Sequence, residues 1–170
     1  MKPLALYCKS YSTDLRRVVR LAQSIQRFNA EHLPFYVSVP QAELPLFREH
    51  LGGLGIELLA DEDILRASPR IEAAQVARMP GSVSQQVVKS EFWRLGLSEA
   101  YVCLDSDAVF IRPFGQADFM TPDGTPYTML DEAHDLLEDA LRRKRDRVVA
   151  DFNKEADQVQ QLFQRKGRRY

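Results

Sequence analysis

The fold is decided by a stretch in the second half of the chain, AYVCLDSD at residues 100–107. Its first five residues form an apolar run, which is typical of a strand buried in a parallel sheet. Two carboxylates, Asp105 and Asp107, follow directly and therefore come at the carboxyl end of that strand. Ligands bind at this edge in open α/β sheets. The stretch thus predicts both a parallel sheet and the position of a site on it.

Upstream of this stretch, apolar runs of strand length alternate with segments of helical periodicity. The predicted order is strand, helix, strand, helix, strand, over Leu4–Cys8, Leu15–Asn29, Pro34–Val39, Gln41–Leu51 and Ile56–Leu59. Residues 60–84 are predicted as a loop with a short helix, Gln85–Leu95 as a helix, and 126–130 as a further strand. This alternation favours an α/β fold with a mostly parallel sheet flanked by helices.

The composition changes after about residue 130. Residues 1–130 are predicted as the α/β domain, and 131–170 as a charged, amphipathic helical extension of the same domain. The apolar stripe of this extension can close onto the sheet or onto a second copy, which would give a homodimer through the C-terminal helices. The cluster Arg142-Arg143-Lys144-Arg145 is interpreted as a solvated helix face with ion pairs to nearby acids; phosphates or an anionic membrane are the alternative partners.

Composition excludes several classes of protein. The chain has 170 residues, a formal net charge of −1 and a pI near 6.3, which argues against a basic nucleic-acid-binding protein. No apolar run reaches the roughly 20 residues that cross a bilayer, and the N-terminus does not have the pattern of a signal peptide. Cys8 and Cys103 are predicted as buried free thiols on neighbouring strands. A cytoplasmic location is expected.

The acidic pair predicts a metal site. Side chains two residues apart on an extended segment point the same way, so Asp105 and Asp107 are expected to face one ligand. Hard oxygen ligands suit Mg²⁺ or Mn²⁺, whose remaining positions are commonly filled by water and substrate phosphates. A solvated acidic turn is the alternative.

Two segments around this motif resemble a known family. Residues 88–94 (VKSEFWR) and 101–114 (YVCLDSDAVFIRPF) resemble the core of GT-A glycosyltransferases, and among them an uncharacterised bacterial family of glycosyltransferase-like proteins. Residues 9–15 and 21–28 resemble the first strand-helix unit of that family. The resemblance extends over residues 3–130. It implies a GT-A, Rossmann-like fold of the nucleotide-diphospho-sugar transferase type.

The resemblance also implies an activity. It is the Mn²⁺- or Mg²⁺-dependent transfer of a sugar from a nucleotide-diphosphate donor to a glycan or other acceptor, in the synthesis of bacterial surface polysaccharide. By this resemblance, Asp107 binds the metal, and Asp105 faces the ribose and reaches the metal directly or through water. Ser106 belongs to the same motif and is assigned to the nucleotide-sugar site.

Four residues outside the motif are assigned to the nucleotide-sugar site in the same way. Lys89 supplies a charge for phosphate or a donor for the sugar, with an exposed helix lysine as the alternative. Ser10 and Tyr11 line the nucleotide site, and Tyr11 is available to stack on the base. Asp14 contacts the nucleotide or simply stabilises the first turn of its helix.

The chain departs from the family pattern after the motif. Only 63 residues follow Asp107, and the one later histidine, His134, is interpreted as an exposed helix-start residue, with metal ligation as the alternative. The sequence assigns no catalytic base, donor or acceptor, and it does not distinguish retention from inversion. Two other functions stay open. One is a non-catalytic or truncated nucleotide-sugar-binding module; the other is a haloacid-dehalogenase-like phosphatase, with Asp105 as nucleophile and Asp107 as acid-base.

Overall fold

Four parallel strands form one sheet in the computed structural model, which describes residues 2–127 and 134–163. The strands are β1 (Lys2–Lys9), β2 (Phe35–Val39), β3 (Ile56–Ala60) and β4 (Ser98–Leu104), and their order is β3-β2-β1-β4. In register, Tyr7 of β1 lies beside Tyr36 of β2 and Cys103 of β4. The predicted parallel α/β sheet with β1 and β4 as neighbours is confirmed.

One face of the sheet is covered by α1 (Leu15–Phe28) and α2 (Leu44–Leu51). The apolar residues of α1 recur at helical spacing and bury one side of the helix. They pack against alternate residues of β1 and β2, including Leu6 and Val37, in the larger of two apolar clusters. Burial of this apolar surface is the main force that holds the layer to the sheet.

The opposite face carries α3 (Asp61–Arg66), α4 (Ala73–Val76) and α5 (Gly81–Glu91). Its core is aromatic: the rings of Tyr7 and Phe92 stack with centroids 3.9 Å apart, and the Tyr7 hydroxyl lies 2.8 Å from the Ser38 hydroxyl. Gly96 adopts a left-handed φ of 63° after the 3₁₀ turn Phe92–Leu95, and it redirects the chain into β4. The predicted helix over Gln85–Leu95 therefore begins and ends earlier, and the predicted loop contains two short helices.

The chain after β4 is anchored to the α1 side of the sheet. The Phe110 amide donates to the Ser24 hydroxyl at 3.1 Å, and the Phe114 amide donates to the Phe28 carbonyl at 2.9 Å. The rings of Phe110 and Phe114 stack at 3.9 Å between centroids. This return segment holds the residues that follow the acidic motif next to the sheet.

The chain divides into two compact units, Met1–Pro126 and Tyr127–Tyr170. The second contains α6 (His134–Arg142) and α7 (Asp146–Phe163), so the predicted helical extension forms two helices. The predicted strand over 126–130 lies mostly outside the described residues. Across the described ranges, no helix combines the length and the apolar character that a membrane span requires.

One prediction about the cysteines is wrong. Cys8 is buried, but Cys103 is exposed, because β4 lies at the edge of the sheet and the helices cover its far end incompletely. In register, Cys8 lies beside Leu104 and Cys103 beside Tyr7. Successive side chains of a strand alternate between faces, so the two thiols lie on opposite sides of the sheet.

Candidate functional site

The connections of the sheet diverge between β1 and β4. The chain leaves β1 through α1 on one face, and it reaches β4 through α5 on the other. The carboxyl ends of these two neighbouring strands therefore lie where the connections of the sheet diverge. In open α/β sheets this topological switch point is where ligands bind. Both groups of sequence-predicted residues, those after β1 and those after β4, lie at this edge.

The acidic motif forms a turn. The strand β4 ends at Leu104, and the Ala108 amide donates to the Asp105 carbonyl at 3.0 Å, so residues 105–108 reverse direction. The motif is therefore a turn and not the extended segment that the sequence predicts, because the strand ends at Leu104. Both carboxylates are exposed, and Asp107 forms no hydrogen bond or ion pair with a described residue. Ser106, between them, is half-buried.

Lys89 and Asp105 are brought together, although they belong to different elements. Lys89 lies near the end of α5, where the Tyr101 hydroxyl of β4 donates to its carbonyl oxygen at 2.9 Å. Its Nζ donates to Asp105 Oδ1 at 2.6 Å. The Lys89 side chain is nearly buried and the Asp105 carboxylate is largely exposed. The Lys89 ammonium is therefore held directly beside the acidic turn.

The residues after β1 have different environments. Ser10 is buried, and its amide donates to the Ser38 carbonyl at 2.9 Å, so it fixes the backbone at this edge. Tyr11 is half-buried and exposes part of its ring to a cleft. Asp14 accepts a hydrogen bond from Arg17 at 2.8 Å in an exposed ion pair at the start of α1. This position agrees with the alternative that Asp14 stabilises the first turn of its helix.

A buried ion pair, which the sequence analysis missed, lies behind Tyr11. Lys9 and Asp61 are only 4% and 7% exposed, and Lys9 Nζ lies 2.9 Å from Asp61 Oδ2. Lys9 Nζ also donates to the Ser10 carbonyl at 2.6 Å, and it lies 3.2 Å from the centroid of the Tyr11 ring. The sequence contains an indication of this pair. Lys9 ends β1 and Asp61 follows β3, so both residues lie at the carboxyl edge of the sheet.

The Asp61 carboxylate is only partly satisfied. Its Oδ1 atom is buried and has no hydrogen-bond partner among the described residues. Burial raises the pKa of Asp61, and the Lys9 ammonium acts in the opposite direction. The Ser38 hydroxyl also acts to lower the pKa of this carboxyl. Buried acceptors are nearly always paired in folded proteins, and Asp61 Oδ1 is an exception among the described residues.

The cleft itself has a volume of about 610 Å³. Its polar side is formed by Lys9, Tyr11 and Asp61, at the ends of β1 and β3. Its apolar side comes from α3, α4 and α5 and from the residues that join them, and includes Leu65, Val76, Met79 and Val88. An apolar pocket with a few convergent polar groups is the usual form of a small-molecule site.

The metal-binding capacity of the site is limited to the two carboxylates of the turn. Within residues 2–127 and 134–163, no three side chains of His, Cys, Asp or Glu are grouped so that they could hold a metal ion. The side chain of His134 lies outside the described part. Two exposed carboxylates match the small number that Mg²⁺ takes from a protein when phosphates and water complete its coordination.

Comparison with known proteins identifies the chain only at the level of a family. A family model described as a family of unknown function (DUF6492) matches residues 2–143. A search of curated proteins gave no match. The match includes the whole sheet, the acidic turn, Lys89 and the cleft.

Proposed function

The chain belongs to the DUF6492 family, and we propose that it is a metal-dependent glycosyltransferase of the GT-A type, which moves a sugar from a nucleotide-diphosphate donor to a glycan or other acceptor. One observation carries this proposal. Three features lie at the switch point of a parallel sheet. They are the turn of Asp105, Ser106 and Asp107, the Lys89 ammonium that is bonded to Asp105, and the end of β1 with Tyr11. This arrangement offers places for a divalent cation, a diphosphate and a nucleoside along one edge.

Asp105 and Asp107 would hold the metal. Asp107 has no competing partner among the described residues, and the Oδ2 atom of Asp105 is not used by the pair with Lys89. A bound Mn²⁺ or Mg²⁺ would neutralise charge on the donor diphosphate and so favour its departure. Because the turn supplies two carboxylates, the coordination sphere of the metal has room for that diphosphate.

Lys89 is placed to hold the diphosphate. Its Nζ has two further donor positions beyond the bond to Asp105, and its buried stem fixes where the ammonium can reach. An ammonium held in this way acts as a point charge for phosphate oxygens. Its proposed contribution is to bind and orient the diphosphate.

The cleft beside Tyr11 suits the nucleoside part of the donor. Its apolar wall and the partly exposed Tyr11 ring favour a flat heterocycle. A donor in this position would place its diphosphate toward β4, the neighbour of β1 in the sheet.

The test is a thermal-shift panel of uridine, guanosine, cytidine and thymidine nucleotide sugars, each with and without Mn²⁺. A ligand at about 100 times its Kd adds about 2.7 kcal/mol, which raises the Tm by roughly 5–10 °C for a chain of this size. We expect one nucleotide to stabilise the protein only with metal. Asp107→Asn removes this shift, and Asp151→Asn, the same change at an exposed position of α7, keeps it.

Other outcomes favour the other functions. Stabilisation by beryllium fluoride with Mg²⁺, and by no nucleotide, supports the phosphatase. Metal-dependent nucleotide binding without release of the nucleoside diphosphate from any donor, with glycan acceptors present, supports a non-catalytic binding module. No stabilisation by any ligand of the panel contradicts all three.

A further inference from the structure

The second compact unit carries a hairpin of α6 and α7 that has an unusual tip. The Arg145 amide donates to the Ala140 carbonyl at 2.9 Å and the Lys144 amide to the Leu141 carbonyl at 3.1 Å, which closes α6. Lys144 adopts a left-handed φ of 53° there, and α7 starts at Asp146. We call residues 141–148 the basic tip. Its shape is fixed by backbone hydrogen bonds and not by its side chains.

The cations of the basic tip exceed the available carboxylates. Residues 139–147 contain five basic and two acidic side chains, a net charge of +3 in a chain whose total is −1. Asp139 accepts hydrogen bonds from both Arg142 and Arg143, at 2.6 and 2.9 Å. Three further cations, Lys144, Arg145 and Arg147, form no ion pair with a described residue. The prediction of a solvated face with paired charges therefore holds for only part of the cluster.

Apolar side chains lie exposed beside these cations. Leu141 and Val148 flank the turn and are 57% and 49% exposed, and Leu136, on the same helix as Leu141, is 70% exposed. At about 100° per residue, Leu136 and Leu141 fall within one arc of roughly 140° on α6. A groove of about 190 Å³, lined by Leu136, Val148 and Phe152 among others, continues this apolar surface between the helices. Single exposed leucines are common, but this group borders a charge cluster.

We propose that the basic tip docks on an anionic lipid surface. The unpaired cations would meet lipid phosphates, and Leu141 and Val148 would enter the boundary between headgroups and acyl chains. This combination of basic and apolar side chains is the one that holds amphipathic helices at a membrane interface. A second copy of the chain fits less well, because two copies of residues 139–147, each with a net charge of +3, repel each other. The inference does not depend on the proposed glycosyltransferase activity.

The experiment measures binding of the full chain to vesicles by co-sedimentation. One set contains two parts phosphatidylcholine to one part phosphatidylglycerol, and the other contains phosphatidylcholine alone. We expect binding only to the anionic vesicles, and weaker binding as the salt concentration rises. Each basic side chain near an anionic surface contributes a factor on the order of five, so K144Q/R145Q/R147Q should weaken binding on the order of 100-fold.

Matched variants separate the membrane from other partners. R16Q/R20Q/R48Q makes the same charge change at exposed positions of α1 and α2 and should bind as the wild type does. L141S/V148S, with its helix content checked by circular dichroism, should weaken vesicle binding severalfold while leaving binding to heparin unchanged. If L141S/V148S binds vesicles as tightly as the wild type does, the basic tip binds soluble polyanions and the proposal is overturned. No binding to anionic vesicles at low salt overturns it too, as does equal loss in the R16Q/R20Q/R48Q control.

Discussion

Replacement of Lys9 by methionine tests the buried pair at the edge of the sheet. Methionine keeps the apolar stem of the side chain but leaves Asp61, which is 7% exposed, without its cation at 2.9 Å. Removing one partner of a buried ion pair costs about 3–5 kcal/mol, because the other charge remains buried and uncompensated. We expect a loss of this size in the free energy of unfolding at neutral pH. It is measured by urea denaturation, followed through the fluorescence of the single tryptophan, Trp93.

The loss should depend on pH. Burial raises the pKa of Asp61 above its ordinary value of 3.8, and removal of Lys9 takes away the largest of the effects that lower it. A carboxyl whose pKa is raised by folding stabilises the native state fully below its unfolded pKa, and this contribution is lost as the pH rises through the folded pKa. The Lys9→Met penalty should therefore be small below about pH 4 and grow toward neutrality.

A double variant provides the control. Lys9→Met/Asp61→Leu replaces both charges with apolar groups and should recover most of the lost stability, since such replacements of buried pairs are often neutral. A Lys9→Met penalty under about 1 kcal/mol at neutral pH would refute the reasoning, because that is the size of a surface pair. A penalty that does not change with pH would refute it too, as would a double variant no more stable than Lys9→Met.

Three further predictions follow from single contacts. In the native protein a thiol reagent should label Cys103 faster than Cys8. Burial raises the pKa of both thiols, to about 12 for Cys8, but Cys103 is exposed to the reagent; equal rates in mass-spectrometric time courses would contradict the register of β4. Lys89→Met should weaken nucleotide-diphosphate binding about tenfold or more by calorimetry, while the Tm falls little because Asp105 is exposed. Phe92→Ala should lower the free energy of unfolding by about 3–5 kcal/mol, and a loss under 1 kcal/mol would count against the aromatic core.

Periodicity was sufficient to predict the sheet. Apolar runs such as Leu4–Cys8 and the one that leads into Asp105 have strand length, and the helical segments between such runs favour parallel pairing over antiparallel hairpins. From that alternation came the parallel topology, whereas the adjacency of β1 and β4 came from the Rossmann-like strand order that the resemblance implies. The element ends were less accurate, because local capping decides them: α5 starts at Gly81, directly after Pro80, and therefore before the predicted start at Gln85.

Only part of the candidate site could be predicted from the sequence. Asp105 and Lys89 were assigned by resemblance, and the structure places them in contact. The pairing of Lys9 with Asp61 depends on the lateral order of β1, β2 and β3, which no local pattern encodes. The reversal at residues 105–108 depends on a backbone hydrogen bond that the sequence does not specify. In both cases, long-range geometry decides what the charged groups contact.

Calorimetric titration of nucleotide and Mn²⁺, each in the absence and presence of the other, tests the central claim most directly. If Asp107 holds a metal that the donor diphosphate also binds, each ligand should raise the affinity of the other by the same factor, because binding linkage is reciprocal. We expect a factor of about ten or more in the wild-type chain and about one in Asp107→Asn. Independent binding of the two ligands, or a coupling that Asp107→Asn leaves intact, would contradict a shared metal-nucleotide site at the carboxyl end of β4.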